Sequence, residues 1–254
     1  MEQLAAGQYY LIYNAFSFTI ATMGAATLFF WLAMGRVNKH YQPALVVSGL
    51  VTAIACYHYF RIFGSWTGAF VVTGDDVRLS GALFNQAYRY VDWLLTVPLL
   101  MVELILVMRL SSSETTRTSL RLGGAAALMI VLGYPGEVSG GIDSTRFLWG
   151  ALSMIPFLYI VYSLFAGLSR SIASQPESAR GLVNLARWVV LLSWSFYPVV
   201  YFAPFVLSLE GGTSVTVIEV GYTIADLVAK ALFGVLIYMI AVRKSDAEEG
   251  RAHV

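Results

Sequence analysis

Long apolar runs broken by short polar segments make up the chain. Seven runs can each supply the roughly 20 apolar residues that a helix needs to cross a bilayer. They lie at about 8–35, 43–72, 84–110, 119–135, 145–170, 180–208 and 213–243. The breaks between them read "GRVNKHYQP", "TGDDVRLSG", "RLSSSETTRTSLR", "GYPGEVSGGIDSTR", "SRSIASQPESARG" and "SLEGGTS". None is long enough to hold a second domain, and there is no internal repeat. Residues 1–254 are therefore expected to form a single all-α, seven-transmembrane-helix bundle. The opening "MEQLAAGQYYLIYNAF" lacks a basic n-region, so the first helix is expected to act as its own insertion signal.

Composition agrees with the pattern. Hydrophobic residues are 58% of the 254 and charged residues 12%, against about 25% charged in a soluble domain. A net charge of +1 with no basic stripe argues against a nucleic-acid partner. The single cysteine, Cys56, sits in an apolar run, which excludes a disulfide framework and a cysteine metal site. Loop charge sets the orientation. Arg36, Lys39, Arg109, Arg117, Arg121, Arg170, Arg180, Arg187, Arg243, Lys244 and Arg251 fall after the odd-numbered spans and in the tail. The other side has chiefly Arg78 and Arg146, with Asp75, Asp76, Glu137, Asp143 and Glu210. The positive-inside rule then puts the N-terminus outside and the C-terminus in the cytoplasm.

Some ionisable residues do not fit into loops: Arg89, Asp92, Glu103, Asp226, Lys230 and, on the second span, His58. An ionisable group inside a membrane is costly and points to function. In "YRYVDWLLTVPLLMVELILV", Asp92, Thr96 and Glu103 share one helix face, with Arg89 a turn earlier. In "GYTIADLVAK", Asp226 precedes Lys230 by one turn, as a plain i,i+4 ion pair would. With both helices running inward, the polar groups form an ordered path: Arg89, then Asp92 with Asp226, then Lys230 and Thr96, then Glu103. Glu103 lies about 16 Å deeper than Asp92. A structural ion pair has no use for that further carboxyl, whereas a proton path does. A buried glutamate without a cation keeps its proton to give, and a carboxylate beside a cation stays ionised to accept.

"RYVDWLLTVPLL" and "GYTIADLVAK" resemble the microbial (type 1) rhodopsins, and the likeness runs from "YNAFSFTIA" to "GVLIYMIA". "CYHYFRIFGSW" and "GYPGEVSGG" place it nearest the proteorhodopsin and xanthorhodopsin group of light-driven proton pumps. The resemblance implies all-trans retinal held as a Schiff base on Lys230. It makes Asp92 the counterion and proton acceptor, Asp226 the second counterion, and Arg89 the arginine below them. Glu103 matches the cytoplasmic proton donor, and Asp92, Thr96 and Glu103 together match the signature of bacterial proton pumps. His58 matches a histidine that hydrogen-bonds the acceptor. Tyr90, Trp93, Trp194, Tyr197 and Pro198 match the retinal box, and Leu100 a colour-tuning position whose leucine resembles the green-absorbing forms.

Two departures from archaeal members stand out. Gly150 occupies a position where they carry a tryptophan, which implies a fenestration through which a carotenoid antenna could lie beside the retinal ring. The bland reading is a small residue for close helix packing. Their exterior glutamate pair does not map, because Glu219 is one residue out of register and Glu210 is in a Gly-rich loop. The function implied is an outward proton pump of the bacterial inner membrane: a transporter and not an enzyme, homo-oligomeric like its relatives. The alternative is a sensory rhodopsin signalling to a membrane partner, which usually lacks a carboxyl at the position of Glu103. A light-gated channel would need more polar spans than the fourth and fifth.

Overall fold

The computed structural model describes residues 4–139, 144–167 and 169–250. Seven long helices run back and forth: α1 (Ala6–Leu32), α2 (Gln42–Ala69), α3 (Ala87–Met108), α4 (Ser112–Val138), α5 (Ser144–Tyr162), α6 (Glu177–Leu207) and α7 (Gly211–Glu248). Six of them are long and apolar enough to cross a membrane. The exception, α4, opens on the polar "SSETTRTSLR" and is a full-length helix all the same. Five prolines sit inside helices, at Pro98, Pro135, Pro156, Pro198 and Pro204. Membrane helices tolerate them because neighbouring groups satisfy the freed carbonyls.

Neighbours in sequence pack side by side from α1 to α5, and α7 packs on α6 and α1 and reaches α2 and α3. The contact between α5 and α6 is the sparest of the adjacent pairs. The bundle encloses a core that runs most of its length, and a second aromatic core around Tyr9, Phe16, Trp66 and Phe70 closes one end.

That end carries the only strands among the described residues. The second span was expected to run to 72, but the helix stops at Ala69 and the chain turns into a hairpin. Strand β1 (Phe70–Thr73) pairs with β2 (Asp76–Leu79), in register Thr73 opposite Asp76. Gly74 takes φ 63° in the two-residue turn, a conformation open to glycine without cost. Phe70 and Val77 point inward onto the aromatic core, Val71 faces out, and Leu79 is exposed at the edge.

The opposite end differs from expectation in α5 and α7. The fifth span does not run as one α-helix to 170: a π-helical stretch (Ser163–Gly167) follows α5, then a short helix (Ser169–Ala173). The seventh continues past 243 to Glu248, and a π-helical turn, Leu227–Leu232, interrupts it at mid-depth. Three charges expected in loops or tail are in helices and buried: Glu137 in α4, Arg146 in α5 and Lys244 in α7. Asp143 and Arg251, counted for orientation, lie outside the described residues, as does the side chain of Arg170.

Candidate functional site

The site centres on the π turn of α7. Single π turns inside α-helices recur at functional sites, and this one carries Lys230. Its ammonium is fully buried. It donates to Asp226 Oδ1 at 2.8 Å, one turn back on the same helix, and to Asp92 Oδ2 across on α3. The two carboxylates are not equivalent. Asp226 is saturated: besides Lys230 it accepts from Tyr59 Oη at 2.7 Å, Tyr197 Oη at 2.7 Å and Trp93 Nε1 at 3.0 Å. Asp92 has Lys230 on one oxygen and, among the described residues, no hydrogen-bond donor on Oδ1.

His58 stands beside that open oxygen but does not bond it. Its Nδ1 is 3.9 Å from Asp92 Oδ1, and the ring instead donates to the carbonyl of Ile54 at 3.0 Å, one turn back on α2. The expected hydrogen bond to Asp92 is thus replaced by a close approach, because the local backbone acceptor lies nearer. Thr96 is also on the predicted face, but its hydroxyl donates to the backbone carbonyl of Asp92 at 2.8 Å and not to the carboxylate.

Toward the hairpin end, Arg89 is buried and forms an ion pair with Glu219 of α7. Glu219 also accepts from Gln86 Nε2 at 2.7 Å. Arg89 reaches Tyr59 Oη at 3.4 Å, so one tyrosine joins the arginine to Asp226. A second buried pair, Arg146 with Glu137 at 3.1 Å, ties α5 to α4 at the same end. Sequence reasoning set Glu219 aside on register and counted Glu137 and Arg146 as loop charges. The signal that could have found them was their spacing: Glu219 lies seven residues before Asp226, and so shares its face.

At the other end, Glu103 is completely buried and neither carboxyl oxygen has a hydrogen-bond partner among the described residues. Ser48 of α2 lies beside it, with the hydroxyl donating to Ala44 O at 3.1 Å. From Arg89 to Glu103, the polar groups follow the order expected along α3.

A partly open cavity adjoins the centre among α3, α4, α5 and α6. Tyr90, Trp93 and Leu100 of α3 line it, as do Trp194, Tyr197 and Pro198 of α6, so the whole predicted box converges on one space. Trp93 and Tyr197 pack edge to face with ring centres 5.0 Å apart, and both also bond Asp226. The lining that the sequence did not single out includes Met129, Met154, Phe157, Tyr201 and Tyr222.

Gly150 lines the same cavity, but no open gap lies beside it. It is buried, and a Cβ there would come within 2.6 Å of Tyr201 Cε1 and 2.7 Å of Phe202 Cζ. The room left by the missing side chain has been taken by these two rings. Phe202 packs with Phe147 and Phe205, and Phe147 is more than half exposed on the flank of the bundle.

Known proteins share this arrangement. A model of the family described as bacteriorhodopsin-like protein matches residues 12–244. The green-light absorbing proteorhodopsin of Gamma-proteobacterium EBAC31A08 is 33% identical over 236 residues, 92% of this chain and 88% of the relative. The solved structure of xanthorhodopsin, described as a light-driven ion pump with dual chromophore, superposes with a TM-score of 0.93 at 49% identity, covering 98% of this chain and 99% of that one. A thermophilic rhodopsin superposes at 0.92 with 44% identity, over 98% and 99% of the two chains. The chain is a multi-pass membrane protein and belongs to the bacteriorhodopsin-like family.

Proposed function

We propose that the protein is a light-driven pump that moves protons outward across a bacterial cell membrane, with retinal carried on Lys230. The observation that carries this reading is the sequence of carboxyl groups along α3, one facing a buried cation and the other facing none. The similarity to proteorhodopsin and to a light-driven ion pump supports it. In this reading the hairpin end is extracellular and the end holding Glu103 is cytoplasmic, as the positive-inside rule requires.

The residues present fit retinal. Lys230 supplies a primary amine, the only side-chain group that condenses with an aldehyde to an imine able to carry a proton. Asp92 and Asp226 supply the compensating negative charge. The aromatic cavity next to them provides an apolar, shape-defined space for a long hydrocarbon ring and chain. Bound retinal supplies one thing the protein lacks, a light-driven isomerisation that turns the charged N–H away from its counterion.

The protein's own groups then divide the labour. Asp226, held by three neutral donors besides Lys230, stays a fixed negative charge. Asp92 is the acceptor: its Oδ1 is open, and losing the neighbouring cation favours its protonated form. His58, 3.9 Å away, is the polar side chain that faces this open oxygen. Glu103 holds the proton that replaces it from the cytoplasmic side. Tyr59, Arg89 and Glu219 form the outward connection from Asp226, and the Arg89–Glu219 pair is the group to test for proton release.

The dual-chromophore relative supports a second, carotenoid chromophore on the flank where Phe147, Phe202 and Phe205 cluster. Because Tyr201 and Phe202 cover Gly150, a carotenoid reaches the retinal cavity there only if Phe202 turns aside.

The deciding experiment is the pH of an unbuffered suspension of cells expressing the chain with retinal, under illumination. Acidification abolished by a protonophore is the expected result. Pigmented cells that leave the pH unchanged would sink the pump and put a sensory photoreceptor in its place.

A further inference from the structure

We propose that Lys244 and Gln175 form a lid over Glu103 that sets the rate at which Glu103 recovers a proton from the cytoplasm. The inference rests on Glu103 being the donor of the pump.

The lid is built on the end of α3. That helix stops at Met108, with Arg109 in the left-handed region at φ 55°, so its last carbonyls lack helical partners. Lys244, near the end of α7, reaches across and donates to Val107 O at 2.8 Å and Met108 O at 3.2 Å. Its third N–H goes to Gln175 Oε1 at 2.6 Å. Gln175 in turn donates to Met108 O at 3.2 Å and Ser171 O at 2.8 Å. Both side chains are almost fully buried. The ring of Tyr41 lies 5.1 Å from the ammonium. An ammonium has three donors and no acceptor, so every one is in use, and three elements are joined at one point.

Among the described residues, no carboxylate forms an ion pair with Lys244. Glu248, one turn further along α7, is occupied by Tyr41 Oη at 2.5 Å, Asn38 Nδ2 at 2.9 Å and Arg109. A buried cation held only by neutral dipoles is an unusual expense in a membrane bundle. Glu103 stands one turn below Val107, about 6 Å along the helix axis, with both oxygens unpartnered. The bundle thus places a buried carboxyl without a cation one helical turn before the carbonyls that hold a buried cation without a carboxylate.

While Glu103 is protonated, nothing draws the ammonium inward, and the negative end of the α3 dipole holds it in place. When Glu103 gives up its proton, it becomes a bare carboxylate in apolar surroundings, and its field pulls on Lys244. An ammonium drawn off Val107 and Met108 leaves their carbonyls to water, and ordered water is what a returning proton needs. The same charge favours the ionised form of Glu103, which helps donation and delays refilling. Lys244 therefore acts on two steps in opposite directions, while Gln175, which is neutral, acts only on access.

Time-resolved absorption and a pH-sensitive dye, applied to the pigment in detergent, separate the two steps: proton loss from Glu103 and proton uptake from bulk. Lys244→Met should slow the first and speed the second, each several-fold. Gln175→Leu should speed uptake several-fold and leave donation unchanged. Lys244→Arg keeps the charge and should hold both rates within about twofold of the parent. If Lys244→Met lowers thermal stability but shifts both rates together, or neither, the residue is only a helix cap and the lid is overturned. If Lys244→Met yields no pigment, Gln175→Leu decides, and unchanged uptake there overturns the lid. If the unmodified pigment takes up no proton after a flash, the pump reading falls, and the lid with it.

Discussion

Asp226 and Glu103 are both completely buried carboxyl groups in the same bundle, and they are held in opposite ways. Four donors converge on Asp226: Lys230, Tyr59, Trp93 and Tyr197. Among the described residues no hydrogen bond reaches Glu103, since its neighbour Ser48 donates to Ala44 O. The difference shows that burial alone does not give a membrane carboxyl its role; its partners do. Donors aimed at an oxygen stabilise the anion, so Asp226 is built to keep one charge state. An apolar pocket penalises the anion, so Glu103 is built to lose a proton only briefly. Asp92 lies between these extremes, with one oxygen committed and one open, as a group that changes charge in every cycle should be.

Removing the cation breaks the comparison most severely. Lys230→Ala leaves two buried carboxylates facing each other, and losing one partner of a buried ion pair costs about 3–5 kcal/mol. Visible absorbance after adding retinal should be absent, and thermal unfolding should shift down. A coloured Lys230→Ala protein would remove the lysine from the site.

The two aspartates should then separate. Asp92→Asn is expected to keep its pigment, red-shifted, while light-driven acidification falls to background. Asp226→Asn strands Tyr59, Tyr197 and Trp93 around a neutral amide. Its thermal stability and pigment yield should fall further than those of Asp92→Asn. Equal losses in the two variants would mean that the donors around Asp226 do not distinguish it. At the other pole, Glu103→Gln removes no partner. Colour and stability should stay close to the parent, while the return of a proton to the Lys230 nitrogen in the light cycle slows by about 100-fold, the scale of one lost general acid. Recovery at the parental rate would take Glu103 out of the donor role.

Much of this contrast was legible in the sequence, for a physical reason. Charge is rare in membrane helices, so Asp92, Glu103, Asp226 and Lys230 stand out against an apolar background, and helical periodicity places them on facing sides. The fold followed from the same apolar runs. What the sequence hid was where helices end. Glu137, Arg146 and Lys244 flank turns, and residues near a helix end read as loop charges until the structure shows them folded inward in pairs or under a neighbouring helix. The hairpin was hidden likewise, because "FVVT" continues an apolar run and is read as helix until the aromatic core that receives Phe70 is known. His58 and Gly150 were located, but not the groups that surround them. Position along a helix says which groups approach, but not which of two acceptors the imidazole takes, nor whether a neighbour fills the space a glycine leaves.

The smallest effect expected sharpens that last point. Gly150 sits under Tyr201 and Phe202, and even a methyl group there would lie 2.7 Å from the Phe202 ring. Gly150→Trp therefore cannot simply plug a gap; it must push Phe202 toward the lipid, with a loss of stability typical of overpacking, about 1–3 kcal/mol. Phe202→Ala works the other way. It removes a ring that touches none of the proton-carrying groups, so acidification under light should stay near the parental level. It also opens the cavity toward the flank lined by Phe147 and Phe205. In vesicles containing a carotenoid, the excitation spectrum of retinal emission should gain carotenoid bands in Phe202→Ala, more strongly than in the parent and not in Gly150→Trp. If Phe202→Ala gains none, the aromatic flank is packing against lipid, and Gly150 serves only to bring α5 and α6 together.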